Sequence, residues 1–92
     1  MAESKTESKL RDTVKRLGGL AIKFYILEFT GFPDRIVLMP GARVYFVELK
    51  SKGKKPGPRQ RFVHKHLQRL GFPVYVVDET SLNNFLTMIA IL

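Results

Sequence analysis

Two carboxylates and an amine carry the chemistry this sequence could do. Asp34 follows Pro33 and opens an apolar run that ends at Met39, and Glu48 sits near the end of a second run, Arg43 to Lys50. The tripeptide Pro40-Gly41-Ala42 between them is a turn signal. A hairpin centred on Gly41 sets Asp34 opposite Glu48, with β-carbons roughly 5 Å apart on one face of the sheet. Lys50 lies two residues after Glu48 and so points to the same face, about 6–7 Å further along the strand. Two carboxylates at that range repel, and one keeps its proton unless something offsets the charge. A divalent cation offsets it, and an all-oxygen donor set suits magnesium or manganese with water completing the shell. Lys50 could then hold or activate a water, or meet the charge developing on a scissile phosphate. Each residue alone has a plainer use: Asp34 as a turn cap, Glu48 and Lys50 as a solvated pair at a strand end. Three such groups on one face, beside a basic loop, favour a site.

The charge distribution supports that loop. The chain has 92 residues, 16 Lys+Arg against 8 Asp+Glu, and a formal net charge of +8. From Leu49 to Val77 there is no acid at all. Lys52, Lys54 and Lys55 lie on a Gly- and Pro-rich loop, Ser51 to Pro58, and Arg59 and Arg61 follow it. These cations suit a phosphate backbone, whose neutralisation releases counterions, and the other use of such a loop is solubility. Lys23, inside an apolar run, could also contact a phosphate near the site. His64 and His66 are two apart on an expected helix, lack the spacing of a zinc pair, and read as surface residues. The absence of Cys excludes disulfides and thiolate chemistry. The apolar tail, Phe85 to Leu92, is far shorter than the roughly 20 residues of a membrane span, and no signal peptide is visible at the N-terminus. The expectation is one soluble, intracellular, basic domain over 1–92 with a polyanion partner and no membrane.

The elements that must position these residues follow from periodicity. Ser4 to Leu17 reads as a helix with Leu10, Val14 and Leu17 on one stripe, stopped by Gly18-Gly19. Leu20 to Leu27 reads as a strand, Glu28 to Pro33 as a bend, and Asp34 to Met39 and Arg43 to Lys50 as strands. Pro58 starts a helix to about Leu70, with Phe62, Val63, Leu67 and Leu70 on its apolar side and Gly71 as its stop. Pro73 to Asp78 reads as a strand, and Thr80 or Ser81 caps a last helix from Leu82 to about Ile91. The order is α-β-β-β-α-β-α, an α/β fold whose two middle strands are apolar enough for a sheet covered on both faces. The last helix is apolar beyond one face, and it serves either its own core or a dimer surface.

These residues in this order resemble a known family. Gly31-Phe32-Pro33-Asp34, then thirteen residues, then Glu48-Leu49-Lys50, is similar to the Pro-Asp…Glu-x-Lys signature of the restriction-endonuclease-like superfamily. More closely, the chain resembles the VRR-NUC (virus-type replication–repair nuclease) domain. Glu7 before the Gly18-Gly19 stop, Lys23, Arg35, Gln60 in Pro58-Arg-Gln-Arg, and Leu70-Gly71-Phe72 also carry the likeness, which spans roughly residues 7 to 78. The resemblance implies a restriction-endonuclease-like core, with a mixed central sheet flanked by helices. It implies that Asp34, Glu48 and the main-chain carbonyl of Leu49 ligate Mg2+ or Mn2+, that Glu7 adds a further acid, and that Lys50 is the catalytic lysine supported by Gln60. It also implies a stand-alone phage-type member, acting in the cytoplasm of a bacterial or phage-infected cell. Such a protein would be a homodimeric nuclease that resolves Holliday junctions. The alternatives are a flap-, fork- or nick-directed or non-specific nuclease of the same chemistry, and a non-catalytic basic DNA-binding module.

Overall fold

A computed structural model describes residues 4–91, so Met1 to Glu3 and Leu92, the last residue of the apolar tail, lie outside it. Helix α1, Lys5–Arg16, begins where the Ser4 hydroxyl accepts the Glu7 N–H at 3.1 Å. Its stripe buries Leu10 and Val14 completely. Gly18, at φ 85°, turns the chain out of the helix in the left-handed region. Gly19 then lets the helix end press on the sheet: a β-carbon there would lie 2.5 Å from the Leu38 carbonyl and 2.6 Å from Met39 Sδ.

The sheet has four strands in the order β1 (Leu20–Lys23), β2 (Arg35–Met39), β3 (Arg43–Leu49), β4 (Val74–Val77). The first two pairings are antiparallel and the last is parallel, so the sheet is mixed. The β2–β3 hairpin turns through Pro40-Gly41-Ala42, and its register pairs Arg35 with Val47 and Met39 with Arg43, as a hairpin centred on Gly41 requires. Helix α2, Pro58–Arg69, makes the crossover between parallel β3 and β4, and α3, Leu82–Ala90, closes the chain. The order α-β-β-β-α-β-α is the expected one.

Strand alternation divides the side chains between two faces. Val37, Met39, Val47 and Val77 face α1 and α3 and form the core with Leu10, Val14, Leu82, Phe85, Leu86 and Ile89. The apolar last helix therefore serves its own core. The turn before it is held by Asp78, whose carboxylate accepts the Thr80 N–H at 2.8 Å and the Ser81 N–H at 3.2 Å, while Ser81 is the N-cap residue and its side chain makes no cap bond to the helix.

Three expectations need correction. The first strand stops at Lys23, not Leu27, because its partner β2 begins at Arg35, and beyond that Pro33 has no N–H to donate. The last link is the Phe24 N–H to the Asp34 carbonyl, 3.2 Å. The sheet is covered fully on one face only: on the α2 side, the rung Leu20–Leu38–Val44 across three strands stays substantially exposed. The buried side of α2 is Val63, His64 and Leu67, with Phe62 and Leu70 exposed. Among the described residues, no helix is long and apolar enough to cross a membrane.

The close approach at Gly19 yields a test. Gly19→Ala forces a β-carbon onto a main-chain carbonyl, and we expect it to lower stability by about 1–3 kcal/mol in urea unfolding. An unchanged midpoint would contradict the packing of α1 on β2 described above.

Candidate active site

One step beyond the Arg35–Val47 pair, the hairpin register sets Asp34 against Glu48. Alternation sends Arg35 to the α1 face, and Asp34, Phe46 and Glu48 to the α2 face. The Asp34 carboxylate accepts the Leu49 N–H at 3.4 Å, which ties it across the hairpin. Glu48 is 4% exposed, buried between the sheet and α2. Its Oε2 lies 3.8 Å from Lys50 Nζ and accepts a hydrogen bond of 3.4 Å from Gln60 Nε2. Gln60 in turn accepts the Gly57 N–H at 2.9 Å, so the first turn of α2 holds the amide that holds the glutamate. The structure thus brings Asp34, Glu48, Lys50 and Gln60 together.

His64 is part of this site, and the surface reading of it is wrong. It is 6% exposed, and its Nε2 lies 3.8 Å from Glu48 Oε1. Among the described residues, both atoms are buried without a hydrogen-bond partner. The signal in the sequence is spacing: His64 is four residues after Gln60, one turn further along the same helix face. Its cost lies in the polar atoms it buries, which composition does not reveal.

The electrostatics are those of a crowded anionic site with too little positive charge. Burial, and then the neighbouring Asp34 carboxylate, push the Glu48 carboxyl up to about 7, and Lys50 only partly opposes this. Burial also raises Asp34, against the Leu49 N–H and Arg35, which pull it down. Burial and then the Lys50 ammonium lower His64, which favours the neutral ring. A pair of facing carboxylates, one with an unpartnered oxygen, fits an oxygen-preferring divalent cation. Among the described residues, no three His, Cys, Asp or Glu side chains gather into a metal cage. The side chains that could hold such a cation are therefore the two carboxylates, with main-chain carbonyl and water to complete a shell.

The other candidate residues lie around this centre. Glu7 accepts a 2.6 Å ion pair from the buried Arg35 and one of 3.4 Å from Lys23. Burial raises its carboxyl, but hydrogen bonds from the Ser4 main chain, Arg35 and Lys23 prevail and hold it below the usual range. Glu7 lines an open cavity of about 520 Å3 with Leu49, Lys50 and Lys52, so it borders the site from the far side. Lys52, Lys54 and Lys55 are exposed on the loop after β3. Arg59 donates to the Thr30 carbonyl at 3.2 Å, and Arg61 to the Pro56 carbonyl at 2.7 Å, so both also brace loops. Sequence reasoning gives Arg35 no structural role, yet its buried guanidinium is what fastens α1 to β2.

Known proteins share this fold. A solved structure described as a VRR_NUC domain superposes with a TM-score of 0.74 at 28% identity, covering 91% of this chain and 97% of that one. A curated relative, "Putative nuclease p44" of Acyrthosiphon pisum secondary endosymbiont phage 1, is 39% identical over 84 residues, which is 91% of this chain and 90% of the relative. No family model matches the chain.

The raised Glu48 carboxyl has a sign that can be checked. Folding lifts its pKa from 4.5 to about 7, so the folded state holds the extra proton between those values and loses stability as pH rises through them. In chelator, Glu48→Gln removes that loss. The variant is expected to gain on the wild type by about 2–3 kcal/mol between pH 4.5 and pH 8, as read by urea unfolding at each pH. A pH-independent difference would show that Glu48 is an ordinary solvated acid.

Proposed function

The chain belongs to the VRR-NUC nuclease family, and from that premise we propose that it is a metal-dependent endonuclease hydrolysing phosphodiester bonds in DNA. The observation that carries the reading is Glu48, a buried carboxylate facing Asp34 with the Lys50 ammonium 3.8 Å from its Oε2. A sheet face tolerates that concentration of charge poorly unless a cation belongs there. Asp34, Glu48 and the Leu49 carbonyl would hold Mg2+ or Mn2+, with Glu7 as the additional acid at the rim. When bound, such an ion polarises a phosphate oxygen and lowers the pKa of its water.

The protein's own groups do the rest. Lys50 orients the attacking water and shares the negative charge that grows on the phosphate. Gln60 fixes the Glu48 carboxylate from α2. Lys52, Lys54 and Lys55, with Lys23, Arg59 and Arg61 around them, follow the backbone through charge and give register without reading base edges. Recognition is then of DNA shape. Within this reading the substrate is branched DNA, and the four-way junction is the form that a twofold dimer cuts symmetrically. Helix α3 packs most of its apolar side chains into its own core, and the exposed Leu20–Leu38–Val44 rung is one apolar surface that such a dimer could bury.

One panel tests the proposal. The protein is incubated with labelled four-way junction, fork, flap, duplex and single strand, in Mg2+, Mn2+ or chelator, with its mass measured by light scattering. We expect cutting only with metal, paired symmetric nicks in the junction, a dimer mass, and a loss of at least about 100-fold in Asp34→Ala and Lys50→Ala. Cutting that survives both substitutions would refute the site, and equal cutting of every substrate by a monomer would refute the junction reading. Alanine at Lys52, Lys54 and Lys55 should lower the slope of log affinity against log salt by about 0.9 for each phosphate that is no longer neutralised. An unchanged slope would remove the loop from the interface.

A further inference from the structure

The chain between β1 and β2 has a property that phosphodiester chemistry does not use. Its residues 24–33 carry large apolar side chains into solvent: Leu27 is 92% exposed, Tyr25 77%, Phe29 43% and Ile26 42%. Their base is fixed. Phe32 makes edge-on contacts with Phe24, Phe29 and Phe46 at ring-centre distances of 5.8, 6.0 and 5.7 Å. Arg59 holds the Thr30 carbonyl, and Gly31 lies so close to Arg59 that a β-carbon would stand 2.8 Å from its carbonyl oxygen. A mobile loop could fold its apolar groups away; this one presents them on a braced support.

Between the loop and the site lies a cavity of about 280 Å3 lined by Tyr25, Leu27, Phe29, Phe32 and Asp34 among others. One wall is therefore aromatic and aliphatic, and another includes Asp34 of the proposed active centre. Cations flank the rings: Lys23 Nζ is 5.8 Å from the centre of Tyr25, and Arg59 Cζ is 5.7 Å from that of Phe29. Glu28 is the acid in the loop.

We propose that this cavity receives one unpaired nucleobase of the DNA strand lying across the site, stacked against the Tyr25–Leu27–Phe29 wall. The inference rests on the nuclease reading of the same site. The extended apolar surfaces of a nucleic acid are the faces of its bases, and in a paired duplex stacking covers them. An apolar cavity beside a phosphate-handling centre is therefore useful against DNA with an open base, as at a flap or gap, or where the pairs at the centre of a junction come apart. Its volume lies just under the usual range for ligand sites, on the scale of one ring system. A second copy of the chain is a poorer occupant. A twofold contact here would bring Lys23 and Arg59 of a protein of net charge +8 toward their own counterparts, whereas a nucleotide brings its phosphate to them. The loop would then act as a wedge that rewards opened DNA and supplies shape selectivity without base-edge contacts.

The test uses the whole chain in chelator, so that binding is read without cutting. 2-Aminopurine is placed as the unpaired base of a flap, within a single strand, or within a fully paired duplex. For the wild type we expect its fluorescence to fall in the flap and the single strand and to hold steady in the duplex, with flap bound about tenfold more tightly than duplex. Tyr25→Ala combined with Leu27→Ala should abolish both the fluorescence change and the flap preference, leave duplex affinity unchanged, and leave the protein's mass by light scattering unaltered. Tyr25→Phe alone should retain the wild-type signals, because the ring is kept. The proposal is overturned if the double variant keeps the flap preference, if the wild type binds flap and duplex equally, or if the double substitution dissociates a dimer with no change in the flap-to-duplex ratio. Failure of the nuclease reading would show separately, as absence of cutting with Mg2+ or Mn2+.

Discussion

A carboxylate buried against another carboxylate is the constraint around which this small protein is arranged. Glu48 lies between the sheet and α2, opposite Asp34, and among the described residues the cation within ion-pair range of it is Lys50, while burial and then Lys50 lower the pKa of the neighbouring His64 and so favour its neutral ring. The group keeps its proton to about pH 7 instead of ionising near 4.5. That is a standing cost in the metal-free fold, and it becomes a gain when a cation takes the proton's place. Stability and metal affinity are thus linked through one side chain.

The remaining elements hold that pair in place. The three-residue turn sets the β2–β3 register, and a slip of one residue would send Glu48 to the opposite face, into the apolar core. Gly19 seats α1 on β2, and the Arg35–Glu7 pair fastens the same two elements beside the site. Helix α3 fills the core from the α1 side, which leaves α2 free to bring Gln60 and His64 onto Glu48. A conventional core occupies one face of the sheet, and the polar machinery occupies the end of the other.

Much of this is legible in the residues, for identifiable reasons. The hairpin is legible because turn chemistry and strand period both act locally, so Asp34, Glu48 and Lys50 fall on one face by counting. The element order and the Leu10–Val14 stripe are legible for the same reason. Burial across elements is less so. His64 resembles one more charge on a basic helix, because what buries it is the distant Glu48 and the crossover that brings α2 over the sheet. The end of β1 depends on where β2 begins, not on the apolar run Tyr25–Ile26–Leu27, and those same residues then project from the loop. Whether α3 faces its own core or a partner is undecidable from its composition, since both surfaces ask for the same side chains.

The central claim is that Asp34 and Glu48 share a cation in place of a proton, and calorimetry tests it without any DNA. Mn2+ is titrated into the protein near pH 6 in two buffers of different ionisation enthalpy. We expect saturable binding of one ion with release of close to one proton, and loss of both in Asp34→Ala. Binding with no proton released, or equal binding by the Asp34 variant, would contradict it.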